Sequence, residues 1–357
     1  MISERGTKVP LPFVMGEHMR HINIPIFIPH LGCPNDCVFC NQRSISGKTS
    51  FCEDAVDAEI EKVLATCTDA DEVEIAFFGG SFTGIERGLM IRLLDKAQFY
   101  IHAGRVSSIR LSTRPDYIDE EILSILSRYG VKTIELGLQS MDDEVLLASR
   151  RGHDAACGER ACGMVKKAGF SLVGQMMIGL PASNGEREVD TAKKLCEMGV
   201  DAVRVYPTVV FFETELCEMA KQGEYTPLVT DEAVERTKNV LAVFDEYGVP
   251  CIRVGLCASE NLSSPEAVYG GASHSAIGEL AMGELFFDKM CETLDALGDL
   301  AGKTVQISVS RGALSKAIGQ NRKNSARICE KYSLKRLKIL EKNQKIGYNI
   351  MIDSVSE

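Results

Sequence analysis

The stretch Ile22-Asn23-Ile24-Pro25-Ile26-Phe27-Ile28-Pro29-His30-Leu31-Gly32-Cys33-Pro34-Asn35-Asp36-Cys37-Val38-Phe39-Cys40 decides how the rest of the chain is read. Its first half is apolar and bounded by prolines, as a buried strand is. Its second half places three cysteines within eight residues, immediately after that strand. Outward from it, apolar runs recur at 72–78, 108–112, 133–138, 171–178 and 202–206. Amphipathic stretches with helical periodicity lie between them, at 54–67, 85–102, 120–129, 154–168 and 187–198. Gly104, Gly130, Gly169 and Gly199 follow four of these, where a helix C-cap belongs. Strand–helix alternation predicts an α/β fold with a parallel sheet and right-handed crossovers. Six strands are too few for a closed eight-fold barrel, so the expected architecture is a partial, about six-unit, parallel β/α barrel. Ligands in such sheets sit at the C-terminal ends of the strands. The cysteines fall there. So do Gly79-Gly80, Gln139, Gly179 to Pro181 and the residues after Tyr206.

Three thiolates at this spacing can hold three irons of a cubic [4Fe-4S] cluster, leaving the fourth iron open to another ligand. A zinc site with His30 or Cys52 as the fourth ligand is the alternative at this stage. The other ten of the thirteen cysteines are scattered through apolar segments as small hydrophobes.

Strand end followed by C-x3-C-x-aromatic-C resembles the radical S-adenosylmethionine superfamily. The resemblance implies a [4Fe-4S] cluster on Cys33, Cys37 and Cys40 whose open iron binds S-adenosylmethionine. Its reductive cleavage to a 5′-deoxyadenosyl radical is the reaction implied. Phe39 would then lie near the adenine, and Gly79 and Gly80 would let the backbone approach the ligand's amino acid moiety. Further motifs narrow the likeness: Ser112-Thr113-Arg114-Pro115-Asp116-Tyr117, Glu135-Leu136-Gly137-Leu138-Gln139-Ser140, Arg151-Gly152-His153, Met176-Met177-Ile178-Gly179-Leu180-Pro181, Val205-Tyr206-Pro207-Thr208 and Gly223-Glu224-Tyr225-Thr226-Pro227. Together, over residues 22 to 255, they resemble the elongator catalytic-subunit-like proteins, which act on the wobble uridine of tRNA. By that likeness Gln139 and Arg151 would touch the ribose and carboxylate of the cofactor, and Gln175 would face it. Tyr206 is the expected catalytic side chain near substrate, and His153 is expected to cap a helix. The likeness departs in two ways. The elongator proteins have wider spacing between their first two cluster cysteines, and they carry an acetyltransferase domain for which the about 100 residues after the motif region are too few. Gly270 to His274 match none of these motifs.

Charge is unevenly placed. The chain carries 40 Lys/Arg and 50 Asp/Glu, net −10, yet residues 303–345 hold twelve Lys/Arg and two acids, net +10. An acidic body with a basic tail points to nucleic acid as partner. Ile318-Gly319-Gln320-Asn321 resembles a KH-type turn with a degenerate G-x-x-G. That likeness implies RNA contacts through Lys316, Gly319, Arg322, Lys323 and Arg327. The division expected is a barrel at 1–255, a helical connecting region at 256–300, a basic KH-like α+β appendage at 301–345 and a tail at 346–357. No apolar run reaches the ~20 residues of a membrane span, and the first residues lack a secretory apolar core, so the expected location is cytoplasmic, with no membrane partner. The expected partners are RNA, with tRNA first, an electron donor such as flavodoxin or ferredoxin, and a separate acyltransferase. Two rival readings stand beside this one: a coproporphyrinogen-oxidase-like radical enzyme acting on a small molecule, and a non-enzymatic metal- and RNA-binding protein.

Overall fold

The computed structural model describes residues 20–28, 31–33, 37–41, 51–68, 72–256, 266–343 and 347–357. His30 and Lys345 lie outside the described residues. In chain order the elements are β1 (His21–Phe27), α1 (Val56–Leu64), β2 (Glu72–Phe78), α2 (Arg87–His102), β3 (Ser108–Thr113), α3 (Glu120–Arg128), β4 (Val131–Gln139), α4 (Asp143–Ala148), α5 (Ala155–Lys167), β5 (Ser171–Ile178), α6 (Gly185–Glu197), β6 (Ala202–Pro207), β7 (Val209–Phe211), α7 (Glu215–Lys221), α8 (Thr230–Glu246) and β8 (Cys251–Val254). Then come β9 (Val268–Gly271), α9 (Ile277–Asp295), β10 (Thr304–Ser310), α10 (Leu314–Ile318), α11 (Lys323–Lys331), β11 (Arg336–Lys342) and β12 (Met351–Ser356).

The main sheet has seven parallel strands in the order β1-β2-β3-β4-β5-β6-β8. The half-barrel reading holds, with seven strands in place of six. The seventh, β8, is four residues long and comes after a β7–α7–α8 excursion that breaks the strand–helix rhythm. Helix starts follow the capping rule: Asp119, Asp142, Asp154, Asn184 and Thr214 each accept from a backbone N–H of the first turn. Gly104, Gly130, Gly169 and Gly199 all have positive φ, as helix-ending glycines do.

The two faces of the sheet differ. Ile24, Ile26, Ile75, Phe77, Ile109, Leu111, Ile134, Leu136, Leu172, Met176, Val203 and Val205 are buried in one core cluster with the helices. Side chains alternate along a strand, so Glu74, Arg110, Glu135, Gln175 and Arg204 share the other face, that of the lumen.

The C-terminal part is a second, smaller layer. β11-β10-β12 form a three-stranded sheet in which β11 runs parallel to β10 and β12 antiparallel. Residues 351–356, expected to be tail, thus form an edge strand. Val305, Ile307, Ile328 and Leu334 pack with Met290 and Leu294 of α9, while Ile277, Ala281 and Leu285 of the same helix belong to the main core. One helix therefore seats the basic module on the half-barrel.

Candidate active site at the cysteine loop

The cysteine loop is held by its neighbours. Val38 N donates to Ser149 O at 3.3 Å, Leu216 N donates to Val38 O at 2.8 Å, and Cys40 N donates to Cys37 O at 2.9 Å. Cys37 is buried and Cys33 exposed. The diglycine after β2 serves this loop directly. A Cβ on Gly80 would lie 2.2 Å from Leu31 O and 2.7 Å from Ile28 O, and one on Gly32 would lie 2.2 Å from Ser81 O. Gly79 takes φ +104, a conformation side chains rarely adopt. The close approach that Gly80 and Gly32 permit is between the chain after β2 and the segment that leads into the cysteine loop.

Two buried arginines back the loop. Arg151 donates from Nη1 to Cys37 Sγ at 3.2 Å and from Nη2 to Gly137 O at 2.5 Å. Arg114 grips Asp116 with two bonds of 2.9 Å and donates to Arg151 O at 2.5 Å. Arg151 Nε, Arg114 Nη1 and Gln139 Oε1 are buried without a partner. Unpaired guanidinium N–H groups beside a thiol loop leave hydrogen-bonding capacity for an anionic occupant, so the donor set fits a thiolate-ligated cluster and a carboxylate-bearing ligand. Gln139 ends β4 at φ +68, a conformation that costs energy for a residue with a side chain and recurs at ligand sites. Among the described residues no three Cys, His, Asp or Glu side chains converge as a single-ion site requires. A cube takes each thiolate on a different iron, so its three cysteines surround one cluster without sharing one ion.

Phe39 packs in a small cluster with Val38, Val210, Leu216 and Cys217. His153 does not cap α5: Asp154 does, accepting from Cys157 N at 2.7 Å. Burial and the neighbouring Arg151 push the His153 imidazole down to about 4. The loop after β5 is clamped. Buried Glu188 accepts from Gly179 N at 2.7 Å, from Ser183 Oγ at 3.0 Å and from Arg236 Nη2 at 2.6 Å, while Tyr225 OH donates to Gly179 O at 2.7 Å. Tyr225 and Gly179 belong to separate motifs of the sequence reading, and one hydrogen bond joins them.

Beneath the loop lies a feature the sequence reading missed. His21 Nε2 is 2.7 Å from Glu74 Oε2, and Ser108 Oγ donates to Glu74 Oε1 at 2.6 Å. Arg110 bridges Glu74 at 3.1 Å and Glu135 at 3.0 Å. Arg204 Nη2 donates to Glu135 at 3.0 Å and also bonds Tyr206. Gln175 donates to Glu135 at 2.8 Å and to Ser112 at 3.1 Å. Gln175, expected to face the cofactor, lies on the lumen face, with its amide donating to Glu135 and Ser112. Tyr206 sits at the ladder's upper end. Burial opposes ionisation of Glu74, yet hydrogen bonds from His21 and Ser108 and the Arg110 charge outweigh it and hold the carboxyl at about 2. Single charges at alternate positions inside apolar strands were the available signal.

The residues predicted for RNA lie in the smaller layer. Gly319 has φ +75, and a Cβ there would meet Asn324 Cγ at 2.9 Å. Asn324 Nδ2 donates to Gly283 O of α9 at 2.7 Å. Lys323 and Arg327 both pair with Glu284 of α9, at 3.3 and 2.7 Å, and the Arg327 guanidinium stacks 3.6 Å from the Phe287 ring centre. Those two cations are partnered on α9. Arg322 is exposed and Lys316 half-buried.

A sequence profile of the radical SAM superfamily matches residues 27–195, and one of a radical SAM C-terminal domain matches 200–285. An uncharacterized protein of Methanocaldococcus jannaschii is 30% identical over 236 residues, 63% of this chain and 72% of that one. The chain belongs to the radical SAM superfamily. It is similar as well to the tRNA uridine(34) acetyltransferase of Methanocaldococcus infernus, 29% identical over 198 residues, 50% of this chain and 37% of that protein. It thus spans little more than a third of that relative's length. Among solved structures, the M. infernus Elp3 with an N-terminal deletion shares the fold at TM-score 0.57 and 22% identity, over 77% of this chain and 63% of that one. The radical SAM family implies a [4Fe-4S] cluster and S-adenosylmethionine, and makes the chain a radical SAM enzyme. Among the described residues, no helix is long and apolar enough to cross a membrane.

Proposed function

We propose that this radical SAM enzyme modifies RNA, with tRNA as the substrate. Cys33, Cys37 and Cys40 would hold the cluster. Phe39, Gly79, Gly80, Gln139, Arg151 and Gln175 would surround S-adenosylmethionine. When bound, that pair supplies the electron for reductive cleavage and the deoxyadenosyl radical that takes hydrogen from substrate. The chain's own residues supply the surroundings. Arg151 stabilises negative charge on the Cys37 sulfur, Glu188 and Tyr225 fix the loop after β5, and the ladder carries Tyr206 at the substrate side. The observation that carries the RNA reading is the match, over half of this chain, to a protein named for acting on tRNA uridine(34). The +10 segment on an acidic body supports it. The electron would come from a flavodoxin- or ferredoxin-type donor, and any acyl transfer from a separate acyltransferase.

The test is release of 5′-deoxyadenosine from S-adenosylmethionine by the anaerobically reconstituted, reduced protein, with and without bulk tRNA, and with Cys37→Ala as control. Release stimulated by tRNA and abolished in the control is the expected result. Release that tRNA leaves unchanged would move the substrate to a small molecule. No release from protein with a verified four-iron cluster would overturn the reading.

A further inference from the structure

The segment from Gly270 to His274, unmatched by any motif, finds its place in the β7–β9 ribbon. The two strands pair antiparallel through Val209↔Gly271, Val210↔Gly270 and Phe211↔Val268. Thr208 N donates to Ile178 O at 2.8 Å and Ala272 N to Thr208 O at 2.9 Å, so the ribbon is fastened to the C-terminal ends of β5 and β6. Gly271 has φ +89, and a Cβ there would lie 2.6 Å from Thr208 O. Only glycine lets β9 lie this close. The ribbon's two faces then divide. Val209 and Phe211 pack with Leu256 and Val268, while Val210 and Phe212 pack with Val38 and Phe39 of the cysteine loop.

On that second side an aromatic pair stands at the surface. Phe212 and Tyr269 meet edge to face, with ring centres 5.7 Å apart at 87°. Tyr269 is 40% exposed and Phe212 half-buried. Lys221 Nζ, itself paired with Glu218 at 2.7 Å, lies 5.9 Å from the Phe212 ring centre. Asn41, the residue after Cys40, donates from Nδ2 to Phe212 O at 3.2 Å. The pair is therefore one hydrogen bond away from the cluster loop. Its edge-to-face contact fixes the Tyr269 ring while leaving part of it in water, which core packing does not explain.

We propose that Tyr269, backed by Phe212, is a stacking platform for an unpaired nucleobase of the RNA substrate, with Lys221 beside it for the adjoining phosphate. A rigid aromatic face with a neighbouring cation suits a planar base and is tolerant of its identity. The location suits it too, since a base held here is presented next to the cysteine loop. The platform rests on the RNA reading, and the experiment separates the two.

The chain has no tryptophan, so Tyr269→Trp introduces a sole indole reporter. Its fluorescence is followed during titration with a uridine oligonucleotide, an abasic oligomer of equal length, and bulk tRNA. Filter retention of tRNA is measured in parallel on the wild type and on Tyr269→Phe and Tyr269→Ala. Quenching by the uridine oligomer and tRNA, without quenching by the abasic one, is expected. Tyr269→Ala should weaken retention by roughly 5- to 150-fold, the worth of one base stack, and Tyr269→Phe should keep it. Equal quenching by the abasic oligomer overturns the platform. Retained tRNA with a silent indole, or an unchanged Tyr269→Ala, overturns it and leaves the RNA reading standing. If the wild type retains no tRNA, both fall.

Discussion

Glu135 is the place to perturb the lumen ladder, because it is fully buried and receives from three side chains at once: Arg110, Gln175 and Arg204. In Glu135→Ala, Arg110 keeps Glu74, at 3.0 Å. Arg204 keeps Tyr206 and loses its carboxylate. The cost therefore falls mainly on Arg204, a mostly buried guanidinium left without its counter-charge. Breaking a buried pair from one side costs about 3–5 kcal/mol, most of it for the charge left behind. With a urea m-value of about 3 kcal/mol/M, the unfolding midpoint should drop by about 1–1.7 M. The assay is equilibrium urea unfolding of the reduced apoprotein, so that loss of a cluster does not enter. The double variant Glu135→Leu, Arg204→Leu removes both charges and should recover most of the loss, since an apolar replacement of a buried pair is often nearly neutral. A drop below about 1 kcal/mol for Glu135→Ala would refute the reasoning, because it would place the ladder with water-screened surface bridges.

Three further outcomes follow from the geometry. Gly80→Ala should displace the cysteine loop from Leu31 O, and iron and sulfide bound per chain after reconstitution should fall well below wild type. Glu74, held at about 2 in the fold, binds fewer protons there than when unfolded, so its contribution is complete above its unfolded value. That contribution should be lost as pH falls from about 4.5 to 2; acid unfolding of Glu74→Gln, compared with wild type, should lack this part of the transition. The His153 imidazole, lowered to about 4, should be neutral at pH 6 by its nitrogen NMR shifts. The stability it supplies is present above its unfolded value and lost as pH falls toward 4; a midpoint near 6.5 would contradict its burial.

What the sequence could tell was set by the range of the interaction. Apolar runs and helical periodicity act locally, so β2, β5 and the helix read at 120–129 could be found from one chain, while the helix read from 187 starts at Gly185, capped by Asn184. The cysteine spacing is local too. The ladder was hidden because each charge looks like a stray polar residue within its own strand. Only strand register sets Glu135 between Arg110 and Arg204, and register joins residues 25 and 69 positions apart. His153 was assigned the cap because it precedes a helical pattern, but a carboxylate one residue later accepts the backbone N–H, which a neutral imidazole does less well.

Charge counting met the same boundary. Twelve cations in 43 residues state a total and leave their partners unstated. Glu284, about 40 residues upstream on α9, takes Lys323 and Arg327, and Asp353 takes Lys342. What remains for a polyanion is therefore smaller than the count. The G-x-x-G-like turn, with Asn324 bonded to Gly283, is partly spent on docking. That division has a consequence for function. The module is seated on the barrel through α9, which packs in both cores, and Lys323 and Arg327 pair with Glu284 of that helix. An RNA bound on its remaining positive surface would then be positioned by the fold, and the exposed aromatic at the barrel's lip would have only one base to select.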